Sequence, residues 1–135
     1  MNTNETPKVG QILFAESTEK SGPNFNKSLL FLDETPEKEN SWMVTWIAQM
    51  YENDGEVEVY AEAAAGGSGP AHINRIATDD DILIFTKKLA DSTNGQDDLE
   101  AWLLYIDEAE DLKSLLSEEK VRLKGLITKS IIENG

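Results

Sequence analysis

The chain has 135 residues, of which 39% are hydrophobic and 28% charged, and its 26 acidic against 12 basic side chains give a formal charge of -14 at neutral pH. These totals describe one folded domain of common size, able to bury roughly two-thirds of the surface its unfolded chain exposes without a metal or disulfide. The lack of cysteine excludes disulfides, thiolate catalysis and thiolate zinc sites together, and the strong negative charge opposes direct contact with DNA, RNA or anionic lipid.

Residues 1–8 (MNTNETPK) are polar and aperiodic, without the basic and apolar segments of a signal peptide. They read as a loose leader to a single domain at residues 9–135. No stretch approaches the ~18 apolar residues of a membrane span, and the cytoplasm is the compartment that fits an acidic, cysteine-free chain. Residues 9–15 (VGQILFA) and 28–32 (SLLFL) are short apolar runs, separated by Ser-Gly-Pro-Asn at 21–24 and closed by Asp-Glu-Thr-Pro at 33–36, the punctuation of strands.

Asn53-Asp54-Gly55 stands between residues 42–51 and 56–63. Asp-Gly supplies the positive φ angles of a tight hairpin turn. In the second arm Val57, Val59, Ala61 and Ala63 alternate with Glu56, Glu58, Tyr60 and Glu62, which predicts one packed face and one acidic, solvated ladder. In the first arm Trp42, Val44, Trp46, Ala48 and Met50 fall on one face, while Met43 and Ile47 make the other apolar as well. A strand covered on both sides belongs in the centre of a sheet.

Ala-Gly-Gly-Ser-Gly-Pro at 65–70 reads as a break in regular structure. Beyond it, residues 79–90 fit a helix capped by Thr78, with acids in the first turn and Ile82, Phe85 and Leu89 on one side, and equally fit a strand at 82–86 leading into a short helix. Residues 99–106 (LEAWLLYI) carry the same ambiguity. From Leu112 to Ile131 apolar residues recur at near-helical spacing, with Ser117 as a cap or break and Gly125 weakening the helix by about 1 kcal/mol relative to alanine. The expected architecture is α+β: a largely antiparallel sheet with a central hairpin, covered by C-terminal helix from about Asp107 onward.

Gly10-x-Ile12-Leu13-x-Ala15, followed by Pro23-x-Phe25-x-x-Ser28-Leu29-Leu30-x-Leu32, resembles the first two strands of the AlgH-like (YqgE) family of small bacterial proteins, and Gly66-Gly67 before Pro70 resembles that family's glycine-glycine-proline turn. The resemblance covers about a fifth of the chain. It implies a compact α/β domain with a loosely assigned regulatory role and no agreed catalytic residues, and it favours strands for the runs at Ile82 and Trp102.

Residues with catalytic potential are few. His72 is the single histidine, and no Gly-x-Ser-x-Gly elbow accompanies it. Asn53-Asp54-Gly55-Glu56 fails as a calcium loop, because with Gly55 at the sixth position the first and twelfth fall on Met50 and Ala61. Asp79, Asp80 and Asp81 are consecutive and point apart on a helix or a strand. No metal and no cofactor is implied. The glycine-rich segment leaves an anion-binding alternative, with Gly67 and Ser68 offering backbone N–H groups and His72 and Arg75 offering charge.

The acidic surface is the stronger signal. Glu56, Glu58 and Glu62 on the hairpin, and Asp97, Asp98 and Glu100 within the acidic stretch that ends at Asp111, are the candidate partner-binding residues. The tail is locally basic, with Lys113, Lys120, Arg122, Lys124 and Lys129. The expectation is a non-enzymatic interaction protein, a regulator or inhibitor of a partner with a basic surface, including a nucleic-acid-binding one whose groove the carboxylates would fill in place of phosphates. Trp42, Trp46 and Trp102 are expected in the core rather than on a binding platform.

Overall fold

In a computed structural model the protein is described at residues 8–16, 25–34, 42–53, 56–60, 64–68, 75–92 and 94–134. The leader, apart from Lys8, lies outside these residues. The strands are β1 (Leu13–Glu16), β2 (Phe25–Leu32), β3 (Trp42–Asn53), β4 (Glu56–Tyr60), β5 (Ala64–Ser68) and β6 (Arg75–Ile76). The helices α1 (Asp79–Ala90), α2 (Gly95–Glu108) and α3 (Ser117–Asn134) follow, with a 3-10 turn at Glu110–Leu112. All strands belong to one sheet of order β4-β3-β2-β1-β6, each neighbouring pair antiparallel, and β5 joins along β3. The α+β architecture expected from the sequence is thus the one the protein has.

β1 and β2 read as continuous apolar runs because both faces of the sheet are closed. Ile12, Phe14, Leu29 and Phe31 enter the main core beneath the helices, while Leu13, Ala15, Leu30 and Leu32 form a second cluster with Val44 on the other face. β3 is central, as its pattern predicts: β2 covers one edge, and β4 and β5 follow one another along the other. Asn53 pairs with Glu56, so the hairpin closes across two residues, although Asp54 and Gly55 themselves lie outside the described residues.

The single-face reading of β3 is corrected by a bulge. Leu29 pairs with Ala48 and Leu30 with Trp46, leaving Ile47 as an extra residue. Two residues opposing one reverses the alternation at that point. Val44 and Trp46 therefore belong to the second cluster, whereas Ile47, Ala48 and Met50 all enter the main core. The alternation of β4 cannot be followed in its glutamates, since the side chains of Glu56 and Glu58, and Glu62 altogether, lie outside the described residues.

The glycine-rich segment is also corrected: Ala64–Ser68 is a strand, with Ala64 opposite Trp46 and Ser68 opposite Trp42. A ladder needs backbone donors and acceptors, which glycine and alanine supply, and β3 offers the template that local propensity does not reveal.

Residues 79–90 and 95–108 are helices, not the strands that the family resemblance favours. Thr78 Oγ1 accepts the Asp81 N–H at 3.2 Å and Asp81 Oδ2 accepts the Thr78 N–H at 2.9 Å, a reciprocal cap that satisfies two donors otherwise orphaned at a helix start. Ile82, Phe85 and Leu89 then face the core, as do Leu99, Trp102 and Ile106 on α2. Helical cover thus begins at Asp79 rather than Asp107, and Asp107 belongs to the last turn of α2. Trp102 is buried, Trp46 packs partly buried against the second cluster, and the side chain of Trp42 lies outside the described residues.

Two glycines are set by close approach. Gly10 has φ +79°, and a Cβ there would stand 2.2 Å from Ser114 O; its carbonyl accepts Leu116 N–H at 3.0 Å, joining the entry to β1 to the entry to α3. Gly95 opens α2 where a Cβ would stand 2.2 Å from Ala90 O.

Candidate interaction surface

Of the four residues of the anion-binding alternative, the three that are described lie in strands. Gly67 and Ser68 lie in the β3–β5 ladder, and His72 lies outside the described residues. Arg75 on β6 donates from Nη2 to Asp81 Oδ1 at 2.6 Å and from Nε to Oδ2 at 3.1 Å, with its guanidinium carbon 4.6 Å from the centre of the Phe14 ring. A fork-on-carboxylate pair stacked on an aromatic ring is a strong arrangement for arginine. The Asp81 carboxylate raises the Arg75 pKa above its ordinary value. Burial pushes the Asp81 carboxyl up, but hydrogen bonds from Arg75 and from Thr78 outweigh it and hold the group below the usual carboxylate range. Arg75 thus already has an anion, supplied by the chain itself.

The candidate acids on α2 divide in the same residue-by-residue way. Asp98 is half-buried and accepts the Ser92 hydroxyl at 2.8 Å, closing the turn between α1 and α2. Asp107 is held by Lys124 Nζ at 2.7 Å, and the hydrogen bond and charge of Lys124 lower its pKa. Asp97 and Glu100 are exposed and, like Glu108, carry no ion pair among the described residues.

Helical geometry gathers these free acids. Leu99, Trp102 and Ile106 anchor the inner side of α2 in the core, so Asp97, Glu100, Ala101, Leu104 and Glu108 point outward together. Leu104 stands at the middle of that face and is 57% exposed. The result is an apolar knob ringed by uncompensated carboxylates on a helix whose opposite side is fixed by packing. Sequence reasoning selected Asp97 and Glu100 but missed Ala101, Leu104 and Glu108 as members of the face. The spacing of Asp97, Glu100, Ala101, Leu104 and Glu108 is the signal that identifies them once residues 95–108 are helical.

An open cleft of about 390 Å³ lies between α1 and α3, lined by Leu83, Lys87, Ala90, Asp91, Lys129, Ser130 and Glu133. Its two ammonium and two carboxylate groups balance, and they select neither an anion nor a cation. Among the described residues no three acidic or histidine side chains are placed to hold a metal, and no helix is long and apolar enough to cross a membrane. No family model, curated protein or solved structure matches the chain, and the outward face of α2 stands on its own geometry.

Proposed function

We propose that the protein is a non-enzymatic interaction protein, a regulator or inhibitor that docks the outward face of α2 onto a basic protein surface with an apolar recess for Leu104. The observation that carries this reading is the exposed Leu104 surrounded by Asp97, Glu100 and Glu108, none of which has an ion-pair partner among the described residues. Apolar anchors supply most of the binding energy of an interface, and charge around them supplies encounter rate and partner choice. A partner that itself binds nucleic acid fits the same chemistry, because its groove is basic and the carboxylates take the place of phosphates.

The anion-binding alternative is less well supported, since Arg75 is engaged by Asp81. The test is a pull-down of proteins from host extract with the full chain at low and high ionic strength, run beside Leu104→Lys. A partner that is retained at low salt, is released at high salt and fails to bind the variant is the expected result. Retention that ignores both salt and the substitution would exclude the α2 face.

A further inference from the structure

We propose that the cleft between the C-terminal ends of α1 and α3 binds a small zwitterion, a γ-amino acid whose ammonium and carboxylate meet two separate layers of charge. Arg122 in the first half of α3 reaches Asp79 at the start of α1 at 3.1 Å, while Lys87 and Asp91 at the end of α1 share the cleft with Lys129 and Glu133 at the end of α3. The two helices therefore run in the same direction. On each, a lysine precedes a carboxylate by four residues, so Lys87 and Lys129 form one layer and Asp91 and Glu133 a second, about 6 Å further along.

These charges are open to a ligand. Lys87 and Asp91 have no ion pair among the described residues, and Lys129 reaches Glu133 only at 4.0 Å, with both side chains 65% exposed. A lysine four residues before a carboxylate is the weaker order for pairing along a helix, because it sets the acid where the last backbone carbonyls already concentrate negative charge. Asp91 caps α1, and Glu133 lies in the last turn of α3, which contains no basic residue. Two carboxylates and two helix C-termini together attract a cation, and the ammonium of the ligand belongs there.

Ser130 fixes the other end. It lines the cleft at 7% exposure, and its hydroxyl makes no hydrogen bond among the described residues, whereas the hydroxyls of Thr86 and Thr128 donate to the carbonyls of Leu83 and Lys124. A polar side chain buried to this degree is ordinarily hydrogen-bonded. Next to Lys129 in sequence, Ser130 is placed to donate to a carboxylate held by the two ammonium groups. Leu83 and Ala90 supply apolar wall for the methylenes between the ligand's charges. An α-amino acid carries its charges too close together to reach both layers, and a γ-amino acid spans them. The volume of about 390 Å³ admits one such molecule.

The test is an NMR titration of the full chain with γ-aminobutyrate at low ionic strength, with butyrate and butylamine as probes that carry one charge each. Saturable shifts should map to residues 83–91 and 129–133, and each single-charge probe should bind about tenfold or more weakly. Ser130→Ala should weaken binding of γ-aminobutyrate about fivefold, and Lys129→Met and Glu133→Gln about tenfold each, with resonances elsewhere unshifted as the control for folding. Leu104→Lys on α2 should leave the titration unchanged. Absence of a saturable shift with γ-aminobutyrate, equal binding of butyrate or butylamine, or full affinity in both Ser130→Ala and Lys129→Met would overturn the proposal.

Discussion

Glu119 and Arg122, one turn apart on α3, complete the edge of the sheet where β6 runs out. Ala77 N–H reaches Ile12 O at 2.9 Å, but the return bond is replaced by side chains: Glu119 Oε2 accepts Ile12 N–H at 2.7 Å, and Arg122 donates to Ala77 O at 3.1 and 3.2 Å. Arg122 Nη2 also donates to that same Glu119 oxygen at 3.1 Å, and Nη1 reaches Asp79 Oδ1 at 3.1 Å. The last helix is thereby fixed to the first strand, the last strand and the first helix together, and a short sheet edge is covered against pairing with another chain.

Replacing Glu119 by alanine leaves the Ile12 N–H in a largely buried site without an acceptor, and the expected cost is about 1–3 kcal/mol. Urea denaturation should show a lower midpoint at unchanged slope. Arg122→Ala should cost a similar amount. The double variant should cost less than the two single variants added, because the residues act as one unit.

Asp81 predicts the acid response of the domain. Its folded-state pKa lies below the unfolded value, so its contribution is complete above the unfolded pKa of about 3.9 and is lost as pH falls through the folded one. Asp81→Asn should be less stable at neutral pH, by about 1–2 kcal/mol for the damaged cap. The gap should narrow as pH falls below about 4. Thermal melts of both proteins across that range provide the check.

Two glycines should respond with opposite signs. Gly10→Ala forces a side chain into φ +79° and against Ser114 O, and it should lower stability by at least about 1–2 kcal/mol from the backbone conformation alone. Gly125→Ala meets nothing within 4 Å among the described residues and should raise stability by roughly 0.5–1 kcal/mol. Differential melting of the pair at low protein concentration separates these outcomes.

Much of this fold was legible because its cues are local. Asp54-Gly55 announces a tight hairpin turn, the short apolar runs of β1 and β2 announce strands, and the apolar residues on both faces of β3 announce a central strand, whereas Thr78 ahead of residues 79–90 fits a helix and a strand alike until its reciprocal cap with Asp81 decides between them. The features that escaped reading depend on residues distant in sequence. Ile47 bulges because of where Leu29 and Leu30 pair, and residues 64–68 become a strand because β3 has an edge to fill. Gly10 is constrained by the backbone at Ser114, more than a hundred positions away. The candidate surface was half legible for the same reason: the acids of α2 were evident from composition, but which of them are free depended on Ser92 and Lys124. Leu104 gained its meaning only once Trp102 fixed the orientation of the helix.

The central claim is that the free carboxylates around Leu104 select a basic partner. Its most direct test is a binding isotherm with the partner that the pull-down retains, comparing wild type with the triple variant Asp97→Asn, Glu100→Gln and Glu108→Gln over a range of salt concentrations. These isosteric changes remove charge while leaving α2 packed. The account predicts affinity reduced about tenfold or more at low salt and a flatter salt dependence. Equal affinity and equal salt dependence in the two proteins would contradict it.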